Sequence, residues 1–199
     1  MNKSPDATRS LVAALVVPML LLGAACTKQP AAAPASTAAL PAGLKPAASI
    51  IDLMHDPIDV NANALWQAVY TSSTQEGTED VTPATDEEWL ALRRQALVLM
   101  EAANLLVTEG RPVAHAGQGL EAGQGDGVLS PAESQAKIDK DRALFTGFSA
   151  ALQGAAGSLL PAIDSRNVEQ YLAAGDALQA ACESCHLQFW YPGQAQPAP

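Results

Sequence analysis

Two cysteines and one histidine lie close together near the C-terminus, at a spacing that suits one particular chemistry. They form the run Cys182-Glu183-Ser184-Cys185-His186. On a helix, Cys182 and Cys185 share a face one turn apart, and His186 follows directly after. Two thiols at this spacing can add to the two vinyl groups of one haem while the imidazole reaches the iron. The run therefore predicts one covalent haem c, held by thioether bonds from Cys182 and Cys185, with His186 as the proximal iron ligand.

Two other chemistries use the same residue types. A Cys-x-x-Cys pair can be a thiol–disulfide redox motif, but that motif follows a strand in a βαβ unit, and the sequence shows no such pattern. A structural zinc site needs four ligands, and the other histidines are His55 and His115, with no second cysteine pair. Haem attachment explains the run best; a structural lipoprotein that never receives haem is the weaker alternative.

The sequence from residue 48 onward predicts four helices and no strand. Capping boxes begin the second helix at Thr85 and the third at Ser130. Asp56-Pro57 should kink the first helix, and Pro161 should end or bend the third. The predicted helices cover about residues 48–72, 85–110, 130–163 and 165–189. Helices of this length predict an all-α fold, an antiparallel four-helix bundle with covalently attached haem c between facing helices.

A four-helix domain with a single haem motif near the end of its last helix resembles the class II c-type cytochromes, the cytochrome c prime family and its low-spin relatives. The resemblance covers residues 48–191, and its specific motif is the run from Cys182 to His186. It implies a haem whose distal side faces the first helix. It implies electron transfer if that helix supplies a sixth ligand, and binding of nitric oxide or carbon monoxide if the iron is five-coordinate. It also allows a homodimer.

Met54 lies at about the place where low-spin members of this family carry an axial methionine. A thioether ligand would hold the iron six-coordinate and raise its potential. His55 is adjacent, but neighbouring helical residues point about 100° apart, so only one of the two can face the haem. The apolar stripe that contains Ile51 and Ile58 favours Met54 and predicts a surface position for His55. We also expect His115, in a Gly-rich loop, to be solvent-exposed.

The N-terminus has the pattern of an exported lipoprotein. Residues 1–25 combine a basic start, an apolar stretch over residues 11–22 and small residues before Cys26, which predicts a signal peptide. Leu-Gly-Ala-Ala-Cys resembles a lipobox, so we expect lipidation of Cys26 and membrane attachment through that anchor only. Simple cleavage, leaving a soluble periplasmic protein, is the alternative. Thr27 is not the Asp that resembles an inner-membrane retention signal, which favours the outer membrane.

Composition limits the partners of this chain of 199 residues. Residues 26–47 are rich in Ala and Pro and predict a flexible tether, and residues 192–199 predict a disordered tail. The net charge is −10, with no basic patch for nucleic acid. An acidic surface favours a redox partner protein with a basic surface. Paired carboxylates, an activated nucleophile and a phosphate-binding loop do not stand out, so we do not expect an enzyme.

Overall fold

The computed structural model describes residues 45–119 and 127–194, and these residues are mostly helical. The predicted signal peptide over residues 1–25, the lipidation site Cys26, most of the predicted tether and the end of the predicted tail lie outside the described residues. The helical prediction is confirmed in this coarse form, with one small two-stranded sheet added to it.

The first helical section is broken where the sequence predicts a kink. Helix α1 covers Ile50–Leu53, α2 covers Val60–Trp66, and the wide turn Met54–Asp59 joins them. Asp56 leaves helical geometry (φ −139°, ψ 118°), because the proline that follows it disfavours helical backbone there. The section ends at the C-terminus of α2, so the predicted extension of this helix to residue 72 was wrong.

A β-hairpin follows α2, and the prediction of no strand was therefore also wrong. Strand β1 covers Tyr70–Thr74, β2 covers Gly77–Val81, and they pair antiparallel with Tyr70 opposite Val81. Most residues of both strands are exposed. Neither strand therefore has the apolar alternation by which a half-buried strand is recognised in a sequence. The many threonines and the glycine after the two-residue turn (φ +144°) favour the hairpin instead.

Helices α3 and α6 begin at polar capping residues. Helix α3 covers Asp86–Leu106 and α6 covers Val168–Phe189. The Thr85 hydroxyl accepts a hydrogen bond from the Glu88 N–H at 3.2 Å, and the Glu88 carboxylate accepts one from the Thr85 N–H at 2.9 Å, so the predicted capping box is confirmed. Asn167 caps α6 in a similar way.

The third predicted helix is in fact two helices. Helix α4 covers Pro131–Lys140 and α5 covers Arg142–Ser165. Asp141 (φ −136°, ψ 65°) separates them, and its carboxylate accepts a hydrogen bond from the Leu144 N–H at 3.0 Å, which caps α5. Pro161 does not end α5, because the packed face of the helix compensates for one missing N–H. By length and composition α5 could cross a membrane, a test that core helices also pass.

The long helices pack antiparallel to their neighbours. Arg93 of α3 pairs with Asp164 of α5 at 3.0 Å, while the Ser149 hydroxyl of α5 donates a hydrogen bond to the Ala103 carbonyl of α3 at 2.6 Å. The early residues of α3 thus lie beside the late residues of α5. The largest fully buried leucines come one from each of α2, α3, α5 and α6: Leu65, Leu99, Leu159 and Leu178.

Helix α6 runs antiparallel to the first helical section. The Tyr171 hydroxyl donates a hydrogen bond to the Leu65 carbonyl at 2.7 Å, and the Trp66 indole N–H donates one to the Gly175 carbonyl at 3.2 Å. These bonds join the end of α2 to the start of α6. The later half of α6 consequently lies across from the turn Met54–Asp59.

Candidate haem-binding site

A cavity of about 620 Å³ opens between the later half of α6, the turn Met54–Asp59 and helix α5. Cys182, Cys185 and His186 all line it, and all three are half-buried. Both cysteines are free thiols. Cofactor sites typically measure about 300–1,000 Å³. The residues predicted to attach haem and to bind its iron therefore share one cavity of suitable size.

The walls of this cavity are mainly apolar and aromatic. They include Trp66, Leu106, Phe145, Phe148 and Leu152. The Ser149 hydroxyl donates its hydrogen bond to the Ala103 carbonyl, so this donor is not directed into the cavity. Among the described residues no Lys or Arg lines the cavity, whereas Asp59 and Glu183 do. Such walls suit a large planar ring system better than a small charged metabolite.

Met54 and His55 both reach this cavity. Met54 is half-buried and His55 is exposed, yet each contributes to the lining. A second cavity of about 100 Å³ is lined by the same two residues together with His186. The expectation that only one of the pair can face the site assumed a regular helix. The turn Met54–Asp59 departs from that geometry, and it brings both side chains to the same space.

Two aromatic rings pack against the imidazole of His186. The Trp190 ring meets it edge to face, with centroids 4.9 Å apart and planes at 89°, and the Tyr191 ring lies 5.7 Å away. The Tyr191 hydroxyl donates a hydrogen bond to the Glu183 carboxylate at 2.7 Å. Trp190 and Tyr191 directly follow the Cys182–His186 run in the sequence, a position that fits either an exposed helix end or a cover over the site. The structure places both against the predicted iron ligand, where they restrict the orientation of its ring.

Burial shifts the pKa values of the three predicted site residues. It raises the pKa of Cys182 to about 11, with the charge of Asp59 adding to the effect, and the pKa of Cys185 to about 12. Burial lowers the pKa of His186, against an opposing contribution from Glu183. Redox-active Cys-x-x-Cys thiols have lowered pKa values, which is the opposite direction. The neutral imidazole is the form that binds iron.

A third aromatic residue holds the end of α6, and the sequence analysis did not single it out. Phe189 is buried, and its ring meets those of Phe145 and Phe148 edge to face, with centroids 5.4 and 6.0 Å away. Phe189 lies one turn after His186, on the side of α6 that faces α5. The 3.6-residue spacing of apolar positions along α6 was the available signal.

His115 has a partner that the sequence did not predict. It is solvent-exposed, as the sequence predicts, and its Nε2 lies 3.2 Å from the Asp52 carboxylate. The Gln118 amide donates to the same carboxylate at 2.6 Å, and Asp52 also accepts from the Ser49 N–H at 2.8 Å. Buried Arg111 donates to the Leu105 carbonyl at 2.8 Å and to the Ala48 carbonyl. This loop fixes the start of α1, one turn before Met54.

Comparisons with known proteins give no family or function for this chain, so a functional assignment depends on the site itself. No protein-family model matches the chain, and no curated protein or solved structure matches it. Within residues 45–119 and 127–194, no three His, Cys, Asp or Glu side chains are grouped so that they could hold a metal ion.

Proposed function

We propose that this chain is a c-type cytochrome that carries one covalent haem c, attached through Cys182 and Cys185 with His186 as the proximal iron ligand. The observation that carries the proposal is the position of all three residues on the wall of one apolar cavity of about 620 Å³. The haem, when bound, supplies a one-electron redox centre. The protonated thiols provide the S–H groups that thioether formation consumes, and Trp190 holds the neutral imidazole in place.

The proposed fold is an antiparallel four-helix bundle with the haem inside it. The α1–α2 section, α3, α5 and α6 would be its four members. The antiparallel contacts between α3 and α5, and between α2 and α6, support this arrangement. The cavity takes lining residues from all four members, as expected for a cofactor between facing helices. Helix α4 lies outside the four and packs on α5 and α6.

The leading function is electron transfer by a low-spin haem with His186 and Met54 as axial ligands. Met54 supports this because it is half-buried and lines the same cavity as His186. Apolar walls would exclude water from the iron of a bound haem, and together with a thioether ligand they would raise its potential. The protein would be exported to the periplasm and anchored to the outer membrane through lipidated Cys26. There it would exchange electrons with a basic partner protein rather than catalyse a reaction.

The second candidate is a five-coordinate haem protein that binds nitric oxide or carbon monoxide. The apolar wall favours it, since Phe145, Phe148 and Leu152 offer no iron ligand. In that case Met54 would only pack against the cavity, and a diatomic gas could take the open iron position.

Absorption spectra of three exported proteins separate the candidates: the wild type, Met54→Ala and the adjacent control His55→Ala. Each is produced in a host that matures c-type cytochromes, then oxidised and reduced with and without carbon monoxide. We expect sharp split bands that ignore carbon monoxide in the wild type and in His55→Ala. Met54→Ala should give broad high-spin bands that shift with carbon monoxide.

Other outcomes would favour a different function, a different sixth ligand or the absence of covalent haem. A wild type that binds carbon monoxide makes gas binding the leading function. Loss of the low-spin spectrum in His55→Ala alone would assign the sixth ligand to His55. Haem that is extracted by denaturing solvent, or no haem at all, would overturn the proposal of covalent attachment.

A further inference from the structure

Trp190 connects the predicted iron ligand to the surface of the protein. Its side chain lines the same cavity as His186, and its ring meets the His186 imidazole edge to face with centroids 4.9 Å apart. Trp190 is nevertheless 37% exposed. Its backbone is held on both sides, because its N–H donates to the His186 carbonyl at 2.8 Å and its carbonyl accepts from the Leu129 N–H at 2.8 Å. A fixed contact between two rings therefore runs from the imidazole to solvent.

The surface of α6 that leads to Trp190 is acidic. Helix α6 contains no Lys or Arg, and its carboxylates are Glu169, Asp176 and Glu183, which recur every seven residues. Seven residues make about two helical turns, so the three carboxylates follow one line along the helix. Trp190 comes seven residues after the last of them. A surface depression of about 400 Å³ lies along this line, from Asp176 to Leu187.

We propose that Trp190 is the point at which electrons enter and leave the protein, and that the face of α6 around it docks a one-electron redox protein with a basic surface. The inference rests on the proposed function, because it requires haem iron bound to His186. One electron passes from the iron to the oxidised centre of the partner, so the iron is oxidised and that centre is reduced. No bond forms or breaks, and no proton moves.

The contact geometry favours this route. Electron tunnelling becomes steeply slower as the path lengthens, and a gap between groups slows it more than a contact does. His186 is half-buried, so a partner protein reaches it through the ring that covers it, and that ring is Trp190. Carboxylates on the same face of α6 attract and orient a basic partner. The encounter should be weak, as is usual for redox proteins.

Electron transfer to hexaammineruthenium(III), a small cationic one-electron acceptor, tests the route. The reduced protein is mixed with this acceptor in a stopped-flow instrument, and the absorbance of the haem gives the second-order rate constant. We expect Trp190→Leu to lower the rate constant several-fold, because it removes the ring but keeps an apolar side chain over the imidazole. Trp190→Phe restores an aromatic ring and should react at close to the wild-type rate.

Leu172→Ala is the matched control for loss of an exposed apolar side chain. Leu172 is 46% exposed and lies on the same helix, about 27 Å from Trp190 at 1.5 Å per residue. We expect its rate constant and midpoint potential to equal those of the wild type. The midpoint potential of each variant is measured as well. A residue that only packs against His186 would change the rate only as far as it changes this potential.

Binding of an oligolysine peptide tests the docking surface without electron transfer. We expect the peptide to shift the amide NMR signals along the acidic line of α6, and high salt to reverse the effect. Glu183→Gln removes one charge but keeps an oxygen that can accept the Tyr191 hydrogen bond, and it should weaken binding several-fold. Glu101→Gln removes one exposed charge from α3 and should leave binding unchanged.

The failures of the two proposals are distinguishable. Wild-type protein without covalent haem would overturn the proposed function and this inference with it. With covalent haem present, a Trp190→Leu variant that reacts at the wild-type rate would show that electrons leave elsewhere, and it would overturn the inference alone. So would a slower rate that the change in midpoint potential explains in full, or oligolysine shifts that lie outside α6.

Discussion

Shortening Phe189 tests whether the aromatic cluster at the end of α6 holds the predicted iron ligand in place. Phe189 is 5% exposed and contacts two other phenylalanine rings edge to face. Truncating a buried Phe to Ala typically lowers the free energy of unfolding by about 3–5 kcal/mol. Small proteins have about 5–15 kcal/mol in total. Phe189→Ala should therefore lose a large part of the stability of the domain.

Phe189→Leu keeps most of the buried volume and gives the gentler version of this test. We expect it to cost about 1–1.5 kcal/mol, through a partly unfilled site and two lost aromatic contacts. For a urea dependence of about 1–3 kcal/mol per molar, the unfolding midpoint should fall by roughly 0.3–1.5 M. Urea unfolding followed by far-ultraviolet circular dichroism measures both variants, and Leu172→Ala is the exposed control.

The haem spectrum connects this packing to the proposed function. His186 lies one turn before Phe189, so if His186 binds haem iron as proposed, a loosened helix end should release the imidazole at a lower urea concentration than in the wild type. A loss of less than about 1 kcal/mol for Phe189→Ala would refute the packing argument. Equal stability loss in Phe189→Ala and Leu172→Ala would refute it as well.

Two further variants test the hydrogen bonds around the site. Tyr191→Phe removes only the hydrogen bond from the hydroxyl to Glu183. The variant should keep the proposed covalent haem, and its free energy of unfolding in urea should be lower by about 1 kcal/mol. An unchanged urea midpoint would contradict this. The pKa of Asp52 is lowered from its ordinary 3.8, mainly by the hydrogen bond from the Ser49 N–H. A lowered carboxyl pKa stabilises the fold at pH values above 3.8, and that contribution is lost as the pH falls through the lower, folded-state pKa. Asp52→Asn should therefore be less stable than the wild type at neutral pH, and the difference in stability should shrink below about pH 4. Urea unfolding at a series of pH values measures this difference. A difference that stays constant with pH would contradict the argument.

Much of the local structure could be predicted because the residues responsible are close in the chain. The capping box of Thr85 and Glu88 and the kink at Asp56 each depend on residues within one turn of each other. The hairpin was missed because its strands are exposed on both faces, so burial leaves no periodic pattern to read. The break at Asp141 was missed because a regular apolar stripe continues from α4 into α5 across it.

The sequence by itself determined which residues could attach haem, since the chemistry depends on the spacing of Cys182, Cys185 and His186 along one helix. It also predicted that Met54 lies near a kink. Only the tertiary structure decided what surrounds them. The apolar walls come from four separate helical segments, and Asp52 is paired with Gln118, 66 positions away. Such contacts depend on how helices pack, and packing is set by the combined shape of many side chains rather than by any local pattern.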